Sequence, residues 1–137
     1  MEWFRRADGS AVVSEVGARP PGAQFSTLMS FAHDVDMYAA WARLMVFDTF
    51  DPPERAWAVG AAYLRPQGRG RIRAVHGIDS LDPALRDLVV MARLPEAGQP
   101  TSASYEGDGY VIVRHPETAV VEHALERLIT TLQIEVE

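Results

Sequence analysis

The sequence has no cysteine and no lysine. The first absence excludes a disulfide framework and any thiolate-held metal. The second leaves arginine as every one of the 13 basic residues. It excludes a Schiff-base lysine and a phosphate-loop lysine within this stretch of chain. The plainest cause is the compositional bias of a GC-rich genome. No segment has the pattern of a signal peptide, and no apolar run is long enough to span a bilayer. A cytoplasmic protein with no membrane partner is the expectation. The formal net charge of −6 argues against a general affinity for nucleic acid. There are no internal repeats and no low-complexity segments.

Hydrophobic residues make up 47% of the 137, enough for a real core. The length predicts one domain, or two small pieces of a larger one. Residues 1–22 organise the rest. Trp3-Phe4-Arg5-Arg6 and Ala11-Val12-Val13-Ser14-Glu15-Val16 flank Asp8-Gly9, a strong hairpin signal. A turn centred on Asp8-Gly9 sets Arg6 against Ala11, Phe4 against Val13 and Glu2 against Glu15. Alternation then puts Glu2, Phe4, Val13 and Glu15 on one face. Directly opposed residues have Cβ atoms about 5 Å apart, and like charges there repel. A cation between the carboxylates relieves that repulsion. Mg²⁺ suits carboxylate oxygens and typically arrives with substrate phosphates. Arg19, just downstream, supplies the planar fork that suits a phosphate. The plain alternative is two solvated glutamates near the ends of a hairpin. A one-residue slip would also send them to opposite faces.

Pro20-Pro21-Gly22 turns the chain, and residues 24–31 predict a short apolar helix. Asp34 is placed to cap a second helix over 35–47. Its apolar residues, Val35, Tyr38, Ala42, Met45 and Val46 with Trp41 alongside, predict packing under the hairpin. His33 reads as a loop or cap residue, since it has no partner at ligand spacing. Asp51-Pro52-Pro53 stops the helix and sets a boundary between residues 1–55 and 56–137. Beyond it the period becomes that of strands, at 57–64, 71–76, 87–94, 109–114 and 132–137. Arg69, Arg71 and Arg73 read as charge protecting an edge strand rather than as a phosphate site. Ser80 or Asp82 starts a helical turn that includes Leu85. Residues 95–108 are a Gly-, Pro- and Ser-rich loop. A helix over 117–131, apolar at Ala119, Val120, Ala124 and Leu128, predicts a cover over one antiparallel sheet holding both Val111 and Ile134. His115 and His123 are too far apart to form a metal pair on one helix.

The opening stretch resembles the end of an ATP-grasp catalytic domain. That family places a glutamate on one strand, an aspartate-glycine turn, and Glu-x-Asn-x-Arg on the next strand. The matching residues are Glu2, Asp8-Gly9 and Glu15-Val16-Gly17-Ala18-Arg19. Gly17 stands where asparagine is usual, and it has no side chain to coordinate metal. The Arg-Pro-Pro-Gly that begins at Arg19 resembles the biotin-carboxylase-like and amino-acid-ligase-like branches. The second half resembles the small C-terminal domain of amino-acid-ligase-type members. The matching features are Gly70-Arg71-Ile72 before Gly77-Ile78, then Gly109-Tyr110-Val111-Ile112, then the Pro116-Glu117-Thr118 helix and its closing strand.

The resemblance implies an α+β chain. Residues 1–55 would be the last hairpin and helices of an ATP-grasp fold, and 56–137 a small antiparallel β-domain with a packed helix. It implies the C-terminal portion of an ATP-dependent carboxylate-amine ligase that acts through an acylphosphate. The implied cofactors are ATP and Mg²⁺, with Glu2 and Glu15 as the metal ligands. Arg19 would bind the phosphate and stabilise the transferring phosphoryl group. The implied partners are ATP and small carboxylate and amine substrates, and a homodimer is compatible with this. Strand-like residues and a candidate ligand follow Met1 directly, and the family's nucleotide-holding lysines precede this stretch. The chain therefore reads as an inactive fragment of a larger enzyme. A non-catalytic binding or dimerisation module with this fold is one alternative, and a biotin carboxylase-like enzyme is another.

Overall fold

The computed structural model describes residues 2–137. The chain begins with the hairpin, β1 (Glu2–Arg5) against β2 (Ala11–Glu15). Its loop is one residue longer than the sequence suggested. Gly9 N–H donates to Arg6 O at 3.0 Å and Arg6 N–H to Ser10 O at 2.8 Å, leaving Ala7, Asp8 and Gly9 in the loop. Gly9 takes φ +85°, the left-handed residue of a three-residue hairpin. Asp8 Oδ1 accepts from the Ser10 hydroxyl at 2.7 Å and from its N–H at 2.9 Å. The hydroxyl bond is the larger reason that the Asp8 carboxyl is held below its ordinary range.

The longer loop moves the register by one. Arg5 faces Ala11, Phe4 faces Val12 and Trp3 faces Val13. Phe4 therefore does not face Val13, and Arg6 does not face Ala11. A bulge between Trp3 and Glu2 then skips Ser14, so Glu15 again faces Glu2.

Two helices follow, α1 (Phe25–His33) and α2 (Met37–Phe47). Asp36, not Asp34, caps α2, accepting from Tyr38 N–H at 2.9 Å and Ala39 N–H at 3.0 Å. Asp34 instead ends α1 in the left-handed conformation, φ 52°. The α2 helix packs against α1, with Met37 N–H donating to Ser30 Oγ at 3.0 Å. It does not sit under the hairpin, and none of its residues is buried.

The remaining elements are β3 (Ala58–Leu64), β4 (Ile72–His76), α3 (Pro83–Arg86), β5 (Val89–Arg93), β6 (Gly109–His115), α4 (Thr118–Thr131) and β7 (Gln133–Val136). Asp82 starts α3, accepting from Ala84 N–H at 2.8 Å. The strands form two sheets rather than one. The sheet β3-β6-β5 is antiparallel, and β4 pairs separately with β7. Val111 and Ile134 therefore lie in different sheets. Both edges of β6 are taken by β3 and β5, so the closing strand pairs with β4, where Ile134 faces Val75. Ile134 still packs onto the core from that ribbon.

The core lies between α4 and the β3-β6-β5 sheet. Val121, Ala124 and Leu128 of α4 meet Ala58, Ala62 and Leu64 of β3 and Val111 and Val113 of β6. Gly60 admits the helix closely, since a Cβ there would lie 2.6 Å from Leu125 Cδ1. Val59, Ala61 and Tyr63 point to the opposite face, where α1 packs.

A polar junction joins α1 to this sheet. Asp34 accepts from Trp57 Nε1–H and from Arg114 Nη1–H, each at 2.5 Å. The Arg114 guanidinium lies 4.4 Å from the Trp57 ring centroid. Trp57 N–H and Ala56 N–H both donate to Ala32 O. The Trp57 hydrogen bond, with the Arg114 charge behind it, holds the Asp34 carboxyl below its ordinary value of 3.8.

Two predictions follow from this packing. Leu128 is fully buried, so Leu128→Ala lowers stability by about 2–5 kcal/mol in urea unfolding. Asp34 has a lower pKa folded than unfolded. Its contribution is complete above the unfolded value and fades as pH falls through the folded one. Asp34→Asn therefore lowers stability at neutral pH and flattens the loss below about pH 4. Asp8 and Glu135, also held low, retain the rest of the acid dependence.

Candidate functional site

The bulge in β2 and the path of the chain after it bring the sequence-predicted residues together. Glu2, Glu15 and Arg19 line one cleft of about 500 Å³, with Gly17 between the last two. Glu2 and Glu15 occupy facing positions of the paired strands, so their side chains leave the ribbon on the same side. All three side chains are exposed. Pro21, Phe25 and Met29 form an apolar end of the cleft, and Tyr105 reaches in from the β5–β6 loop.

Gly17 contributes open space rather than a group. A Cβ built there would lie 3.7 Å from Glu15 Oε1, in ordinary contact. A side chain at this position would therefore start beside the carboxylate.

This donor set fits one cation in a specific way. Two facing carboxylates supply hard oxygens, and Arg19 lines the same cleft. Among the described residues, no three His, Cys, Asp or Glu residues gather where they could hold a metal alone. The cleft suits a Mg²⁺ ion that brings phosphate oxygens with it, more than a caged ion.

The turn that carries this segment into α1 is unusual. Ala23 and Gln24 have φ 52° and 59°, so two successive non-glycine residues are left-handed. Phe25 N–H donates to Gly22 O at 3.1 Å across them. Such residues cost on the order of 1–3 kcal/mol each and persist where surroundings hold them. Here the holders come from the second half of the chain. The Tyr63 hydroxyl donates to Ala23 O, and Ala23 N–H donates to Glu106 Oε1 at 2.9 Å. Burial, then the Glu106 charge, pushes the Tyr63 phenol up, so it remains a donor. A Cβ on Gly22 would meet the Tyr105 hydroxyl at 2.9 Å. Sequence reasoning missed Tyr63, Tyr105 and Glu106. Their partners lie 40 to 83 residues away, beyond any local spacing signal.

No protein-family model matches the chain, and no curated protein sequence matches it. Solved structures do. An L-amino acid ligase from Bacillus licheniformis superposes with TM-score 0.77 at 16% identity, over 98% of this chain and 36% of that one. An N5-carboxyaminoimidazole ribonucleotide synthetase from Thermotoga maritima gives 0.69 at 15%, over 98% and 36%. A phosphoribosylglycinamide synthetase from Anaerococcus prevotii gives 0.57 at 15%, over 84% and 31%. All three are ATP-grasp enzymes. The chain has an ATP-grasp-like fold. It spans about a third of the length of these structures. At such identities the likeness is one of fold. No helix among the described residues is long and apolar enough to cross a membrane.

The space at Gly17 yields a prediction. The Cβ of Gly17→Asn fits beside Glu15 in ordinary contact, and if its amide oxygen reaches the ion, Mn²⁺ affinity rises several-fold in a titration followed by electron paramagnetic resonance. An unchanged affinity would mean that the ion does not sit between Glu15 and position 17.

Proposed function

We propose that this chain is the C-terminal portion of an ATP-dependent carboxylate-amine ligase, and that it holds the metal and the terminal phosphates of ATP. In this reading residues 1–55 end the catalytic domain and residues 56–137 form a small domain behind it. One observation carries the proposal: Glu2 and Glu15 face one another on paired strands, in the cleft that also receives Arg19. Like charges at paired positions repel, and a shared cation turns that repulsion into binding. The likeness to an L-amino acid ligase supports the ligase kind.

Each residue then has a role. Glu2 and Glu15 would hold Mg²⁺, which when bound neutralises charge on the phosphate oxygens. Arg19 would offer its planar fork to those oxygens and stabilise charge that builds up during transfer. ATP phosphorylates the carboxylate substrate, and the amine displaces phosphate from the resulting acylphosphate. Gly17 supplies no side chain, so a metal held by Glu2 and Glu15 would take its further ligands from water or substrate. That same gap favours a second reading, a non-catalytic module that has kept the ATP-grasp-like fold.

Calorimetry and turnover together separate the two. The cleft offers groups for the metal and a phosphate, whereas nucleotide binding also needs a pocket for base and ribose. Residues 1–137 alone therefore bind Mg-ATP more weakly than the micromolar range. In a longer polypeptide that supplies the nucleotide pocket, binding returns. There Glu15→Gln lowers kcat by about 10²–10³ and changes the KM for ATP less. Binding without turnover in the longer polypeptide would favour the non-catalytic reading, and turnover that ignores Glu15→Gln would overturn the role given to Glu15. Micromolar Mg-ATP binding by residues 1–137 that ignores Glu15→Gln would place the nucleotide elsewhere.

A further inference from the structure

The strained turn at Ala23 lies four residues beyond Arg19. Both of its backbone groups are taken by side chains from distant parts of the chain, the N–H by Glu106 and the carbonyl by Tyr63. Tyr63 stands on β3, on the face away from α4, and is partly buried. Glu106 belongs to the β5–β6 loop and is partly buried as well. The adjacent Tyr105 lines the cleft and packs its hydroxyl over Gly22. An alanine does not adopt φ 52° by local preference. Without these partners the turn relaxes, and the segment leading back to Arg19 relaxes with it.

We propose that Tyr63 and Glu106 are positioning residues for the phosphate-holding segment. They fix Arg19 against Glu2 and Glu15 by clamping the backbone of Ala23. The proposal rests on the reading of the cleft as a phosphate and metal site. It makes that site depend on Tyr63 and Glu106, two residues of the second half that do not line the cleft. Charge is not the means. Glu106 acts as a hydrogen-bond acceptor for one N–H, and Tyr63 as a donor to one carbonyl.

The test is an NMR titration of residues 1–137 with Mg-ATP in the millimolar range, read at the Gly17 amide and the Arg19 side-chain N–H. Hydrogen exchange at Ala23 and Phe25 is followed in the same samples. In the wild type both probes shift, and both amides are protected. Tyr63→Phe and Glu106→Ala each weaken binding roughly fivefold or more and speed exchange at Ala23 and Phe25. Amides of β6 and α4 keep their protection, which shows that the core is intact. Glu106→Gln, which retains an acceptor oxygen, restores most of the affinity lost in Glu106→Ala. Wild-type binding that both Tyr63→Phe and Glu106→Ala leave unchanged would overturn the clamp and leave the phosphate site standing. No shift at Gly17 or Arg19 in the wild type would overturn the phosphate site, and the clamp's purpose with it. Failure of Glu106→Gln to recover affinity would show that Glu106 acts through charge, and would overturn the proposal.

Discussion

A two-stranded ribbon open to water cannot hold its own register. Every residue of β1 is exposed, and in β2 only Val12 is partly covered. The order of this region must be borrowed from the core, where α4 lies on the β3-β6-β5 sheet. Two polar seams transmit it. At one, Arg114 and Trp57 grip Asp34 at the end of α1. At the other, Tyr63 and Glu106 grip Ala23 just before α1 begins. The helix is thus pinned at both ends to β3, β6 and the loop that precedes β6.

This arrangement explains why the candidate groups sit where they do. Glu2 and Glu15 occupy facing positions of the ribbon, where like charges repel and a cation would be favoured. The chain then turns from Glu15 through Gly17 to Arg19, so a cationic side chain joins the same cleft. The turn into α1 is strained, and the strain is balanced by hydrogen bonds from the second half. The cleft and the core are separate parts of this molecule, connected by a few hydrogen bonds rather than by shared burial.

Much of this was legible in the sequence, for identifiable reasons. Asp8-Gly9 marked the hairpin, apolar runs marked β3 and β6, and alternation marked β7, each to within a residue or two. The facing of Glu2 and Glu15 emerged as expected, although by a different route. A loop one residue longer shifted the register, and the skipped Ser14 shifted it back. Neither the loop length nor the bulge leaves a local signature. Asp34 and Asp36 are equally good caps in sequence, but Asp34 is claimed by side chains 23 and 80 residues away. The α2 helix is apolar on nearly every side, so its period did not reveal which face, if any, is covered. The split into two sheets follows from β6 having both edges occupied, a fact of topology rather than of pattern. The clamp on Ala23 was invisible because its partners are remote and its own residue is an ordinary alanine.

The central claim is that Glu2 and Glu15 share one cation. Paramagnetic broadening by substoichiometric Mn²⁺ measures this directly in the NMR spectrum of the chain. Signals of Glu2, Glu15 and Gly17 broaden first and together, and Mg²⁺ in excess restores them. Broadening spread evenly over the 19 acidic residues, or centred away from the hairpin, would contradict the account.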